Sequence, residues 1–164
     1  MKPAKTNAAR LLDSLGIVYE LRPYDVGPDP LSQTAIDVAH KIGMPPEQVF
    51  KTLLTESVVT AGRPEHFFAV LPGDQELDLK QLAQTAGVKK LDLAALKQVE
   101  PLTGYIRGGV TVLAARKPYP AFVDETIELY DQISVSAGQR GLQLVLAPAD
   151  FLRAANATVA DLLR

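Results

Sequence analysis

The sequence predicts an α+β domain built on a mixed β-sheet flanked by helices. Three observations carry that reading. Apolar residues recur at helical spacing in some stretches and alternate in others. These stretches do not follow the regular strand–helix repeat that a doubly wound parallel sheet requires. With 164 residues, 47% of them hydrophobic, the chain suits one compact domain over 1–164 with a real core, and it shows no internal repeat.

Residues 3–15 read as a helix, with Ala4, Ala8, Leu11, Leu12 and Leu15 on one face and Gly16 as a C-terminal stop. Residues 17–24 read as a strand with Tyr19 and Leu21 on one side, and 25–32 as turns. A second helix over 33–42 places Ala35, Val38, Ala39 and Ile42 together and ends at Gly43. Pro45 and Pro46 open a short helical turn. A strand starts at Phe50 and runs through FKTLLTESVV, and HFFAVLP (66–72) is its expected antiparallel partner. Asp78 suits the N-cap of a helix with Leu79, Leu82, Ala83 and Ala86 inward, closed by Gly87. Asp92 is the expected cap of a further short helix through Gln98. Residues 121–124 and 132–136 read as short strands. GLQLVLA (141–147) alternates, with Leu142, Leu144 and Leu146 on one face, and Pro148 opens a C-terminal helical segment.

Composition excludes several chemistries. With no cysteine there is no disulfide, no protein thiol nucleophile and no thiolate metal site. The two histidines, His40 and His66, stand outside any HxH or HExxH pattern and read as surface residues, so no metal is expected. There is no GxSxG elbow, no GxxxxGK[ST] phosphate loop and no GxGxxG fingerprint. No cofactor is implied. The N-terminus lacks the apolar run of a signal peptide and no window is apolar enough to span a bilayer, so the expectation is a soluble cytoplasmic protein without membrane contact. A net charge of −2 and a pI of about 5.7 argue against a generic nucleic-acid or DNA binder. Contact with RNA would rest on a local patch and one shaped pocket.

A few residues resist a purely structural reading. Lys51 interrupts an apolar strand between Phe50 and Leu53. It either snorkels to solvent or points into a cleft to hold an anion or a ribose hydroxyl. Two glycine clusters, 104–109 and 136–141, are tight turns or ligand loops. Tyr24, Tyr105 and Arg140 are packing aromatics and a surface cation, or ligand contacts. Asp124, Glu125 and Glu128 read as a solvated helix start. The pairs Lys89-Lys90 and Arg116-Lys117 are ordinary surface charge or an RNA-facing patch.

In combination, FKTLL (50–54), ELDLKQLAQTAGVKKL (76–91), TGYIRGGVTVL (103–113) and SVSAGQRGLQLVL (134–146) resemble the YbaK/EbsC family over nearly the whole chain. That family comprises freestanding editing domains similar to the insertion domain of bacterial prolyl-tRNA synthetase. The resemblance implies a mixed sheet curled partly like a barrel. It also implies deacylation of mischarged tRNA, in the nearest subgroup removal of cysteine from tRNA for proline. The implied partners are the 3′ CCA end of an aminoacyl-tRNA and prolyl-tRNA synthetase.

The resemblance assigns roles by position. Lys51, with Thr52 beside it, would fix the phosphate or ribose of the terminal adenosine. Tyr24 would form the pocket wall. Gly108 and Gly109 would offer backbone N–H groups to the developing oxyanion, with Tyr105 in the same loop. Ser136, Gly138, Arg140 and Gly141 would lie near the aminoacyl group and terminal nucleotide. One departure stands out. The cysteine-clearing relatives carry aspartate two residues after the last glycine of the second loop, where this chain has Gln143; they often have glycine where this chain has Ala137. Gln143 cannot act as a base or pair with a charged amino group, though it still hydrogen-bonds. In that subgroup the substrate thiol attacks its own carbonyl, which needs no protein nucleophile. Water attack on alanyl or seryl esters, or a binding module without turnover, are the alternatives.

Overall fold

The computed structural model describes residues 5–164, so Ala4, assigned above to the first helical face, lies outside the described residues. Helix α1 (Asn7–Ser14) starts at Thr6, whose hydroxyl accepts from the Ala9 N–H, and it buries Ala8, Ala9 and Leu12. Leu15 sits at the cap and is 37% exposed, off the face expected for it. Strand β1 (Glu20–Pro23) follows. Helix α2 (Ala35–Ile42) has a reciprocal cap between Thr34 and Asp37 and ends on Gly43 in the left-handed region. Next come β2 (Phe50–Ser57), β3 (His66–Pro72) and α3 (Leu79–Ala86), the last capped by Asp78 as expected.

The segment after α3 departs from the sequence expectation. Asp92 caps no helix; it lies in strand β4 (Leu91–Leu93) opposite Glu56. Leu91 is buried and anchors that strand in the core. Helix α4 (Leu96–Thr103) begins later and carries Pro101 inside it. The chain continues through β5 (Ala121–Asp124), β6 (Ile133–Ser136), β7 (Leu142–Leu146) and α5 (Pro148–Ala155). A last short strand, β8 (Thr158–Ala160), replaces the end of the C-terminal helical segment. Asn156 takes the left-handed conformation that stops α5 and turns the chain into it.

The strands form two sheets. One has the order β1-β7-β6 and is antiparallel throughout. The other has the order β4-β2-β3-β5-β8, with β5 parallel to both neighbours. An isolated bridge between Val49, the residue before β2, and Ser134 of β6 ties the two sheets together. The mixed α+β architecture is as expected, but the sheets do not close into a barrel. Leu142, Leu144 and Leu146 face the main core with Ile133, Val135, Leu12 and Phe151. Each such side chain contributes about 1.5–3 kcal/mol on burial. Asp124 is 1% exposed rather than solvated. Its carboxylate accepts from the Thr126 N–H and hydroxyl and from the Leu162 N–H, which ties the C-terminal segment to β5.

Candidate active site

A cleft of about 480 Å³ opens beside the first half of β2. Strand pairing explains it. On its outer side β2 is covered by β4 only at Thr55–Ser57, and the Leu54 carbonyl takes the Ala94 N–H. At the other end Val49 bridges to Ser134. Between these ties the edge of β2 is open among the described residues. Alternation along a strand aims the backbone groups of Thr52 at the same edge as the Leu54 carbonyl, into the cleft. An open edge normally invites another chain. Here it is recessed between the start of α2 and the 93–99 segment, where Ala35, Val38, Leu93, Leu96 and Val99 form apolar walls.

Lys51 lines this cleft. Its ammonium donates to the Gln75 carbonyl at 2.7 Å and the Gly73 carbonyl at 3.4 Å. Two of its three N–H donors are thus placed by the turn after β3, and one remains for a ligand. Burial is the main influence on its pKa and pushes it below the ordinary lysine value, while Glu76 and Asp74 pull it upward. Gly73, which sequence reading passed over, sets this geometry. A Cβ there would stand 2.6 Å from the Ala35 Cβ and 2.9 Å from the Val49 carbonyl. Only glycine lets the turn press against both α2 and β2 while its carbonyl holds Lys51.

The two glycine loops meet across the mouth. Gly108 lines the cleft with a φ of +90°, and the Arg140 side chain lies over it, donating from Nε to the Arg107 carbonyl at 2.8 Å. The Gly108 N–H has no partner among the described residues and is available for an oxyanion. Gly109 is placed differently from expectation. Its N–H is committed to the Ile106 carbonyl, and a Cβ there would stand 2.9 Å from the Gln139 α-carbon, so it shapes the loop and has no N–H left for a ligand. Tyr105 is also buried behind the wall, its hydroxyl donating to the Leu113 carbonyl at 2.6 Å. Burial raises its pKa. Gly138 leaves room for the Tyr105 ring, which would lie 2.9 Å from a Cβ there. The Gly141 carbonyl accepts the Tyr24 N–H, so neither glycine lies on the wall itself.

Seven expected residues do share the cleft: Tyr24, Lys51, Thr52, Gly108, Ser136, Arg140 and Gln143. Arg107 joins them, unassigned by the sequence although it sits inside the glycine loop. Gln143 is 6% exposed on the face of β7 opposite the three core leucines, and its Oε1 accepts from the buried Ser134 hydroxyl at 2.7 Å. The Ser136 Oγ accepts from the Gly138 N–H. Among the described residues no cluster of His, Cys, Asp or Glu could hold a metal, and no helix is long and apolar enough to cross a membrane.

The aminoacyl-tRNA editing domain matches residues 29–154, which contain most of the cleft. The chain belongs to this family. The EbsC protein of Enterococcus faecalis, named as a candidate Cys-tRNA(Pro)/Cys-tRNA(Cys) deacylase, is 39% identical over 96% of this chain and 93% of its own. The Ser/Thr-tRNA deacylase ProXp-y of Escherichia coli is 32% identical over 58% of each chain. Among solved structures, a hypothetical protein, APE2540, superposes with a TM-score of 0.83 at 25% identity, covering 97% of this chain and all of that one. A candidate trans-editing enzyme for prolyl-tRNA synthetase has the same fold, with a TM-score of 0.77 at 24% identity over 99% of both chains. The fold and the editing family read from the four sequence segments are therefore established.

Proposed function

We propose that this editing domain releases cysteine from mischarged tRNA(Pro). The observation that carries this reading is the near full-length likeness to EbsC, joined to a cleft whose lining includes neither cysteine nor histidine, so no thiolate and no imidazole-activated hydroxyl lines it. The terminal nucleotide lies along the open edge of β2, where Lys51 holds phosphate or ribose. The ester carbonyl sits by Gly108, whose N–H meets the developing oxyanion. The cysteinyl thiol attacks its own carbonyl. A C–S bond forms, the ester C–O bond breaks, and the thiol proton ends on the ribose oxygen. The products are a cyclic thiolactone and free tRNA. An aminoacyl ester is already activated, so positioning and charge stabilisation supply the catalysis.

A second reading rests on Gln143 and on the partial likeness to a Ser/Thr-tRNA deacylase: water attack on a small hydroxylated or alanyl ester. Prolyl-tRNA synthetase is the proposed partner that supplies tRNA selectivity, since the chain's own charge is −2. The test is to present cysteinyl-, seryl- and alanyl-tRNA(Pro) separately and follow release of labelled amino acid. Clearance of the cysteinyl ester alone supports the first reading. Clearance of seryl or alanyl ester supports the second, and clearance of none removes both.

A further inference from the structure

The cleft contains cations but no carboxylate. Lys51, Arg107 and Arg140 line it, and no Asp or Glu does. The acids nearest these elements are occupied or outside. Asp74 and Glu76 flank the turn that holds Lys51, and neither reaches the lining. On β1, Arg22 lies opposite Gln143, yet its guanidinium is paired with Glu20 and with the Ile42 carbonyl. The Asp25 carboxylate accepts the Gly27 N–H.

Gln143 completes the picture. The Ser134 hydroxyl is fully buried and donates to its Oε1, leaving Nε2 as the group without a partner among the described residues. That Nε2 is not sealed in the core but open to the cleft, so a ligand that displaces solvent there must offer it an acceptor. A free amine has a lone pair, and an N-acyl group has a carbonyl oxygen. An ammonium has donors only. The hydroxyls of Thr52 and Ser136 can accept from an ammonium but carry no charge to balance it. Desolvation beside three cations disfavours the charged amine further.

We infer that the cleft takes its ester substrate with the α-nitrogen uncharged, and so also clears tRNA esters whose α-nitrogen is acylated. This deepens the deacylase reading and rests on it. Gln143 is the specificity-determining contact and Ser134 its positioning residue.

The test compares cysteinyl-tRNA(Pro) with N-acetylcysteinyl-tRNA(Pro), in which the thiol is free and the amine blocked, using the intact protein between pH 6 and 9. The thiol and oxyanion chemistry is common to both esters and cancels in the ratio of their kcat/KM values. One pH unit below the substrate amine's own pKa only about a tenth of that amine is uncharged, so the ratio of acetylated to free ester rises about tenfold per unit in that range. A ratio that is flat with pH, or failure to clear the acetylated ester while the free one is cleared, overturns the inference and leaves the deacylase reading standing. Failure to clear either ester removes both. In addition, Gln143→Glu supplies the missing carboxylate and should raise turnover of the free ester relative to the acetylated one at low pH by about tenfold. An unchanged ratio in a folded variant overturns the role of Gln143. The wild-type comparison stands if that variant does not fold.

Discussion

Adding one methyl group at Gly108 tests how the cleft is built. The backbone there has a φ of +90°, a region that costs a residue with a Cβ about 1–3 kcal/mol. The new Cβ would also stand 3.2 Å from the Arg140 Cγ and 3.3 Å from its Nε. Arg140 is flexible enough to move, but moving breaks its 2.8 Å bond to the Arg107 carbonyl, worth about 0.5–1.5 kcal/mol. At roughly 2–4 °C per kcal/mol for a chain of this size, the backbone strain alone lowers Tm by about 2–12 °C. If the loop relaxes instead, the Gly108 N–H leaves its place, and loss of one oxyanion donor lowers turnover by about 10²–10³. Thermal denaturation and single-turnover deacylation well below Tm read the two effects separately. Full turnover with an unchanged Tm in Gly108→Ala would refute the reasoning. Gly109→Ala is the internal comparison. Its Cβ would meet Gln139 backbone atoms at 2.9–3.1 Å, which cannot swing aside, so it should lose about 1–3 kcal/mol of stability.

Other perturbations have expected outcomes. Lys51→Ala should leave the fold intact and lower single-turnover deacylation at least a hundredfold, and undiminished activity would remove Lys51 from the site. Binding should depend on salt: three cleft cations at roughly 0.7 each give a log–log slope of about −2, and Arg107→Ala should bring it to about −1.4. Gly73→Ala should cost about 1–3 kcal/mol of stability through overpacking against Ala35 and Val49, read as a lowered Tm, and also weaken turnover because its carbonyl holds Lys51. The Asp37 carboxylate is held below its ordinary pKa chiefly by the Thr34 backbone N–H. A depressed folded pKa stabilises above the unfolded value and is lost as pH falls through the folded one. The stability advantage of wild type over Asp37→Ala should thus be full above about pH 5 and fade under acid, as read by urea denaturation across pH.

The misplaced elements show where local signals stop. Asp92 has the chemistry of a helix cap, but Leu91 beside it fills the core, and tertiary burial outweighs a cap of about 1 kcal/mol. The helix expected to run from Asp92 through Gln98 instead starts at Leu96, passes Pro101 and ends at Thr103, with Gly104 in the left-handed region. Strand β8 is three residues long and exists because β5 offers it a parallel edge, which no window of sequence contains. Asp124 looked like a solvated acid because its partners at Thr126 and Leu162 include one far along the chain.

The sequence by itself determined the α+β class, the antiparallel pairing of β2 with β3, the Gly43 stop of α2, the Asp78 cap and Gly87 stop of α3, and the editing family. Those follow from period, capping chemistry and ordered motifs, which are local. Tertiary structure decided which motif residues face the cleft. Pairing of β4 with only the last part of β2 opens the edge at Thr52. The turn at Gly73–Gln75 aims Lys51. The Gly109 N–H is committed to Ile106 whereas the Gly108 N–H has no partner among the described residues, and the Ser134 hydroxyl orients the Gln143 amide. Each of these is a contact between segments distant in sequence or a choice between adjacent backbone groups. Spacing along a chain carries no record of either.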